Sequence, residues 1–268
     1  MTSLEVKLAC GVWREETPRL DAVVHPLSLD DERQLVDDAA SLLPAQLVTR
    51  LLERCAEVGA EASAEVMREL TVGDRALLLL AFHRLVFDES LSCLVDCTSC
   101  AERLELDLDA RSLVAEPAEP RARVVRTAVN GTQVSFRLPT GGDEERAALA
   151  ALADADAATA ELLQACVLDA GALTLDTVAP AVESAIAELD PHAEIALTFT
   201  CPACGADSAS ILDPASYVVD ELRARVAGLE REVHALASRY GWTERDILAL
   251  PAPRRRRYVD LAEAGPGA

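Results

Sequence analysis

Four cysteines in two CxxC motifs are the residues of this sequence whose type and spacing are best suited to chemistry. The first motif is Cys97-Thr-Ser-Cys100 and the second is Cys201-Pro-Ala-Cys204. Two cysteines separated by two residues can place both thiolates on one metal ion, and two such pairs complete the tetrahedron that structural zinc adopts. We therefore predict one bound zinc ion. Its predicted ligands are Cys97, Cys100, Cys201 and Cys204.

The two motifs lie in segments that align without a gap, residues 97–114 and 201–218. Beyond the cysteines, Leu108, Asp109, Ser112 and Val114 match Leu212, Asp213, Ser216 and Val218. Apolar residues alternate with polar ones before and after each motif, as expected for strands that are buried on one face. Each half is predicted to run helix, strand, CxxC turn, strand and start of a helix. We interpret the motifs as duplicated zinc-ribbon-like half-sites that one zinc ion joins.

The cysteines also allow other interpretations. They can be redox-active or incidental, or they can hold a catalytic zinc. A catalytic zinc keeps an open coordination position and a nearby base, whereas four thiolates close the shell and no His-Glu pair adjoins either motif. Cys93, four residues before Cys97, is an alternative ligand, although the alternation of its strand favours a position in the core.

No other pattern in the chain predicts catalysis. The four histidines are isolated from one another, and no Ser-His-Asp arrangement, glycine-rich phosphate loop or HExxH motif is present. Acidic residues are abundant, but they fall mostly on predicted solvated helix faces. We therefore expect a protein that is not an enzyme, with no catalytic residues.

Composition excludes some classes of function. The chain has 268 residues, half of them apolar, and a formal net charge of -21. This length supports a sizeable core, and phosphate contacts need a basic surface, so we expect no general nucleic-acid binding. No N-terminal run resembles a signal peptide, and the longest apolar stretch, residues 76–82, is short of the roughly 20 residues that span a bilayer. We expect a soluble cytoplasmic protein without membrane insertion.

The remaining pattern predicts mostly helices. Residues 1–70 look like a leader followed by a helical hairpin over residues 35–59. A helix from about Gly73 to Phe87 is apolar around most of its circumference and should be buried. Residues 122–138 alternate about Asn130-Gly131, which is a strong hairpin signal. Two further helices are expected over residues 143–170, and another over about 177–188.

The C-terminal segment has its own pattern. Val219, Leu222, Val226, Leu229, Val233, Leu236 and Tyr240 follow the spacing of a coiled-coil seam. This long helix is expected to pack either within its own domain or against a partner helix. Thr243 and Asp246 resemble a capping box for a short helix, after which Pro253 opens a basic turn. The four arginines of that turn suit nucleic acid or protein carboxylates, and we favour a protein contact.

Together these features predict an α+β fold, mostly helical, in which an inserted β-hairpin and helices separate the two half-sites in sequence. Three segments are expected. Residues 1–70 form the leader and helical hairpin, residues 71–216 contain both half-sites and the insertion, and residues 217–268 form the long C-terminal helix and a basic tail.

Residues 232–261, EVHALASRYGWTERDILALPAPRRRRYVDL, resemble the C-terminal signature of the baseplate protein family of contractile-tailed phages and related contractile injection systems. The Tyr-Gly-Trp followed by Glu, then Ile-Leu, then paired arginines and Tyr carry this resemblance. The segment Val72-Gly-Asp-Arg-Ala-Leu-Leu-Leu is similar to the same family, as is the order of CxxC, hairpin, helices and second CxxC. The resemblance covers residues 71–261.

The resemblance implies a structural subunit or assembly factor of a tail baseplate, in contact with other baseplate subunits and assembled into an intracellular or released particle. A phage tail and a cellular injection system both remain open. Candidate partner-binding residues are Tyr240, Trp242, Arg254, Arg255, Arg256, Arg257 and Tyr258. Two rival functions are a zinc-ribbon module of a nucleic-acid-processing complex and a metal-dependent hydrolase.

Overall fold

The computed structural model describes residues 3–113 and 121–264, which form an α+β fold that is 50% helical. The strands are β1 Leu4–Arg14, β2 Thr17–Val24, β3 Ala56–Val58, β4 Ser90–Asp96, β5 Arg103–Asp109, β6 Val125–Val129, β7 Thr132–Phe136, β8 Val167–Asp169, β9 Ile195–Thr200 and β10 Asp207–Leu212. The helices are α1 Leu29–Asp38, α2 Pro44–Cys55, α3 Ala64–Glu69, α4 Val72–Val86, α5 Ala110–Leu113, α6 Gly141–Ala151, α7 Ala155–Cys166, α8 Leu175–Leu189, α9 Pro214–Tyr240, α10 Glu244–Leu248 and α11 Ala252–Glu263.

The chain divides into two compact units, Met1–Val218 and Val219–Ala268. The segments 1–70 and 71–216, which the sequence separates, therefore lie in one unit. No helix among residues 3–113 and 121–264 is both long enough and apolar enough to cross a membrane.

The N-terminal residues form a β-hairpin, so the prediction of a leader there is wrong. Strands β1 and β2 pair antiparallel, and β3 adds to β2. The alternation of apolar residues in β1 is interrupted where its register shifts between Lys7 and Val12, and this bulge hides the strand from the sequence pattern. Gly11 has a φ of 61° in the bulge, and a Cβ there would lie 2.0 Å from the carbonyl oxygen of Arg19.

The helical hairpin that follows is present with different ends. Helix α1 begins at Leu29 and ends at Asp38, which is earlier than predicted. Helix α2 begins at Pro44, in the first turn where proline is tolerated, and ends at Cys55. The last predicted helical turn is instead strand β3, because it pairs with β2.

Helix α4 is the buried centre of the first unit, as predicted. It begins after Thr71, whose hydroxyl accepts the backbone N–H of Asp74, and every residue from Gly73 to His83 is buried. The charged residues Asp74 and Arg75 lie in its first turn. Buried charges are stable only when they are paired or hydrogen-bonded, so both residues require partners in the core.

Asp74 anchors the N-terminal hairpin to this helix. Its carboxylate is 1% exposed and accepts the backbone N–H groups of Ala9 at 2.7 Å, Cys10 at 3.0 Å and Gly11 at 2.7 Å. These three N–H groups belong to the bulge of β1, where strand pairing leaves them without a ladder partner. One carboxylate therefore satisfies the bulge and fixes β1 against α4.

Arg75 anchors helix α2 in the same way. Its guanidinium donates to the carbonyl oxygen of Ala45 at 2.9 Å and to the hydroxyl of Thr49 at 3.0 Å, and it pairs with Glu144 of α6 at 3.3 Å. Gly141 lies against the guanidinium, where a Cβ would be 2.0 Å from Nη1. The start of α4 thus joins α2 and α6.

Gly73 couples the two helices that precede the CxxC motifs. Its N–H donates to Asp190 Oδ2 at 3.0 Å, and a Cβ at this position would lie 1.8 Å from Asp190 Oδ1. Helix α4 leads into β4 and the first motif, whereas Asp190 follows α8 directly before β9 and the second motif. The hydrogen bond therefore fixes the start of one half against the other.

The buried carboxyl group of Asp190 should make the stability of the fold depend on pH. Burial, opposed by the hydrogen bond from Gly73, raises the pKa of this carboxyl from 3.8 to about 6. The folded state then binds a proton more readily than the unfolded state, so stability should fall by roughly 3 kcal/mol as pH rises from about 4 to 6. Asp190→Asn should flatten this part of the curve in urea titrations, and Asp176→Asn, at an exposed site of α8, should not. An unchanged slope in Asp190→Asn would contradict the assignment.

The insertion between the motifs contains the predicted hairpin. Strands β6 and β7 pair around Asn130 and Gly131, whose φ angles of 51° and 81° suit a two-residue hairpin turn. Strand β8 adds to β7, and α8 packs on this sheet through Val178 and Val182. The predicted helices are α6, α7 and α8, whereas β8 was not predicted because only three residues form it.

The second unit contains most of the long helix α9, which is confirmed, and helices α10 and α11. Thr243 caps α10 by accepting the N–H of Asp246 at 3.2 Å, as predicted. The predicted basic turn is wrong, because residues 254–257 lie inside the 12-residue helix α11. Four seam residues of α9 are buried, namely Leu222, Val226, Leu229 and Leu236. Pairing with a partner helix stays a prediction.

Candidate metal centre

Each CxxC motif forms the turn of an antiparallel hairpin, β4–β5 and β9–β10. In the first turn the N–H of Cys97 donates to the carbonyl oxygen of Glu102 at 2.9 Å, and in the second the N–H of Cys201 donates to that of Ala206 at 2.9 Å. Both turns contain a residue with positive φ directly after the second cysteine, 59° at Ala101 and 71° at Gly205. The two motifs therefore have the same backbone geometry.

The hairpins bring the four predicted ligands together. The sulfur atoms of Cys97, Cys100, Cys201 and Cys204 all lie within 4.8 Å of one another. The sulfur of Cys97 is 3.8 Å from that of Cys204, and the sulfur of Cys100 is 3.7 Å from that of Cys201. These distances join cysteines that lie 107 and 101 residues apart in sequence.

The sulfur spacing fits a metal rather than disulfides. A disulfide requires sulfur atoms about 2.05 Å apart. Four sulfurs at about 2.3 Å from a tetrahedral zinc ion lie about 3.8 Å from one another. The observed 3.7 and 3.8 Å separations match the tetrahedron, so the four cysteines are compatible with a zinc site. In each motif the first cysteine is buried and the second exposed, which leaves the site at the edge of the fold.

Electrostatics show how the cluster holds negative charge. Hydrogen bonds from the Ser208 hydroxyl and from the backbone N–H groups of Cys100 and Ser99 lower the pKa of Cys97 to about 6. At Cys100, the backbone hydrogen bond of Glu102 lowers the pKa, but the neighbouring thiols outweigh it and raise the pKa to about 12. Cys97 therefore loses its proton at a lower pH than Cys100. A bound cation would displace the protons that remain on the cluster, because metal ligands must be deprotonated.

The other cysteines lie outside the cluster. Cys93 is buried in the core below the site, where burial raises its pKa, and it is not among the clustered sulfurs. Cys10, Cys55 and Cys166 are also buried free thiols, as predicted. Burial raises the pKa of Cys166 to about 11 and that of Cys10 to about 12, which makes both unreactive near neutral pH.

A single apolar cluster supports both hairpins beneath the sulfur atoms. Its buried members are Leu80, Leu91, Cys93, Ala110, Ile195, Leu197 and Leu212. Leu80 comes from α4, and the others come from both hairpins and from α5. The hydroxyl of Tyr217 also accepts the N–H of Ser92 at 3.1 Å. The hairpins are thus held together by packing as well as by whatever the cysteines bind.

The predicted partner-binding residues form a second group, in the unit Val219–Ala268. The rings of Tyr240 and Trp242 stack with centroids 4.9 Å apart, and Tyr258 meets Trp242 edge-on at 5.1 Å. Arg254 lies 5.8 Å from the Tyr258 ring, and Arg255 pairs with Glu232. Arg256 and Arg257 are exposed on α11. The structure therefore brings the three aromatic residues together with Arg254, while Arg256, although it lies 3.9 Å from Glu232, and Arg257 are exposed to solvent.

Three cavities of about 540, 410 and 440 Å³ lie elsewhere in the first unit. The largest of the three is mostly apolar and also has four carboxylates in its lining, from Glu144, Glu183, Asp190 and Glu194. None of these three cavities is lined by a cysteine of the cluster, so the cluster does not face a substrate-sized cavity among them.

Comparison of the chain with protein-family models, with curated proteins and with solved structures finds no match. The resemblance to baseplate proteins therefore remains a prediction from the residues that carry it.

Proposed function

We propose that this chain is a structural, zinc-binding subunit or assembly factor of the baseplate of a contractile injection system or phage-like tail, and that it acts through protein-protein contacts. The cluster of four cysteines contributed by two hairpins distant in sequence carries the zinc-binding part of the proposal. The resemblance of residues 232–261 to baseplate proteins supports the rest. A zinc ion there would fix the geometry of these segments, and the fixed surface would bind neighbouring subunits.

The two hairpins support the further proposal that they are copies of one zinc-ribbon-like unit. Their core positions correspond along the ungapped alignment, Leu91 to Ile195 and Leu108 to Leu212, and all four belong to the same apolar cluster. The helix starts correspond as well. The Asp109 carboxylate accepts the N–H of Arg111, and the Asp213 carboxylate accepts the N–H of Ala215. Burial and hydrogen bonding thus agree with the sequence repeat.

A structural role is favoured over a catalytic one by the ligand set. Four thiolates fill the tetrahedral shell of zinc and leave no position for water or substrate. The cavities described above do not include the cysteines. We therefore propose a protein without enzymatic activity, assembled from the cytoplasm into a particle.

The exposed face of α11 is the proposed contact with a neighbouring subunit. Arginine and aromatic side chains together are typical of protein interfaces, where they supply much of the binding energy. Arg256 has 76% of its side chain exposed and lies one residue from Arg257, while Trp242 and Tyr258 form the adjacent aromatic cluster. A basic face on a chain of net charge -21 suits an acidic partner surface.

This proposal predicts that the chain copurifies with contractile particles from the organism that encodes it. Mass spectrometry of the particles should detect the wild-type chain, and Arg256→Glu/Arg257→Glu should reduce its incorporation at least tenfold. Arg231→Glu, at an exposed site of α9, is the matched control. Absence of the chain from both complete and partly assembled particles would contradict the proposal. Saturable nucleic-acid binding that weakens steeply with salt would instead support the alternative of a nucleic-acid-processing complex.

A further inference from the structure

One buried hydroxyl group distinguishes the two CxxC hairpins. Ser208 lies on β10, is 7% exposed, and has its Oγ 3.3 Å from the sulfur of Cys97. The same Oγ is 3.2 Å from the hydroxyl oxygen of Thr98. The side chains of Cys97 and Thr98 from the first hairpin and of Ser208 from the second are therefore connected by polar contacts at the sulfur cluster.

The first hairpin has no equivalent of this arrangement. In the ungapped alignment Ser208 corresponds to Leu104, and Thr98 corresponds to Pro202, so neither matching position carries a hydroxyl. The strand register agrees, because Ser208 pairs with Phe199 where Leu104 pairs with Val95. The hydroxyl chain thus serves one cysteine of the cluster, Cys97.

The chemistry of a thiolate sets the direction of these hydrogen bonds. A metal-bound thiolate has no proton to donate, so the Ser208 hydroxyl must donate to Cys97. Ser208 then has lone pairs left to accept the hydroxyl proton of Thr98. Since Thr98 and Cys97 lie on the first hairpin and Ser208 on the second, this chain of hydrogen bonds crosses between the hairpins at the same place as the sulfur cluster.

We propose that Ser208 is a positioning residue of the zinc site, which holds the Cys97 thiolate in its ligating position while Thr98 orients the serine hydroxyl. The inference rests on the proposed zinc site and extends it to a residue outside the CxxC motifs. Partners that hydrogen-bond to metal ligands typically contribute 10- to 100-fold to metal affinity. A hydroxyl that holds the sulfur before metal arrives reduces the reorganisation that binding requires.

The hydrogen bond also affects the electronic state of the sulfur. A donated hydrogen bond stabilises the sulfur lone pair, so its loss should make charge transfer from sulfur to a bound cobalt(II) ion easier. If Ser208 only filled space, its replacement by alanine would leave the energy of this charge transfer unchanged.

The test uses the full-length chain as Ser208→Ala, Ser208→Thr and Ser210→Ala. Ser210 lies two residues further along the same strand, and its Oγ makes no hydrogen bond to a sulfur atom among the described residues, which makes Ser210→Ala the matched control. Zinc affinity is measured by competition with a chromophoric chelator, and cobalt(II)-substituted protein is measured by absorption spectroscopy. Ser208→Ala should bind zinc at least tenfold more weakly and shift the sulfur-to-cobalt band to lower energy. Ser208→Thr should restore both, and Ser210→Ala should change neither.

Four results would overturn the inference or the zinc site on which it rests. Wild-type zinc affinity in Ser208→Ala would show that the hydroxyl does not position Cys97. A weaker affinity with an unmoved cobalt band, or no rescue by threonine, would show a purely structural role. A wild-type chain that binds neither zinc nor cobalt would overturn the zinc site itself, a failure distinct from normal metal binding that is insensitive to Ser208.

Discussion

The double variant Cys97→Ser/Cys201→Ser is expected to bind no zinc and to unfold at a much lower temperature than the wild-type chain. These are the buried cysteines of the cluster, one from each hairpin, and the two exposed cysteines that remain cannot complete a tetrahedral shell. Structural zinc contributes on the order of 10 kcal/mol in small peptide systems. Because the hairpins here also share an apolar core, we expect a loss of about 5 kcal/mol, or roughly 10–20 °C in melting temperature at this size.

The measurements are elemental analysis of the purified chain and differential scanning calorimetry. Cys93→Ala is the matched control, since Cys93 is a buried cysteine of the same hairpin that lies outside the sulfur cluster. It should keep one zinc ion per chain and lose stability only through the small cavity it creates. Wild-type protein stripped by a chelator should melt close to the double variant. Undiminished zinc in the double variant would refute the four-cysteine site.

The variant Asp74→Ala is expected to destabilise the first unit by about 4 kcal/mol without affecting zinc content. The substitution removes the acceptor of three buried backbone N–H groups, and each donor left unsatisfied costs about 1–3 kcal/mol. The N-terminal hairpin would then lose its attachment to the start of α4, since these hydrogen bonds join residues 9–11 to that helix. Urea denaturation measures the change.

Asp21→Ala provides the comparison for this prediction. Asp21 forms an exposed ion pair with Lys7 at 2.7 Å in the same hairpin, and such pairs contribute at most about 1 kcal/mol. Asp74→Asn should fall between the two, because an amide retains one acceptor oxygen. A loss below about 1 kcal/mol in Asp74→Ala would show that the bulge is held by other contacts.

The parts of the fold that local pattern determines were predicted well. The CxxC spacing, the alternation of Leu104 and Leu106, and the Asn130-Gly131 turn all depend on neighbours along the chain, and the hairpins they predict are present. The apolar run of α4 likewise predicted a buried helix. The alignment of the two CxxC segments was enough to predict that four cysteines meet.

Strand β1 illustrates what local pattern does not reveal. Its first residues alternate, but the bulge at residues 8–11 interrupts the alternation, and the hydrogen bonds that make the bulge stable come from Asp74, more than 60 residues away. The partners of Gly73 and Arg75 are also far from them in sequence, Asp190 by 117 residues and Thr49 by 26. A charged residue in an apolar run signals that a partner exists, but not which residue it is.

Ser208 could have been singled out from the sequence. It occupies an inward position of its strand, where the matching residue of the first hairpin is Leu104. A serine at a core position next to predicted metal ligands is the signal, because a buried hydroxyl requires a partner. The partner itself, Cys97, follows only from the way the hairpins pack.

The sulfur environment of zinc in the purified wild-type chain is the most direct test of the central claim, and X-ray absorption spectroscopy at the zinc edge measures it. We predict one zinc ion per chain, surrounded by four sulfur atoms at about 2.3 Å, with no nitrogen or oxygen in the coordination shell. A chain without zinc, or a spectrum that requires nitrogen or oxygen ligands, would contradict the four-cysteine zinc site.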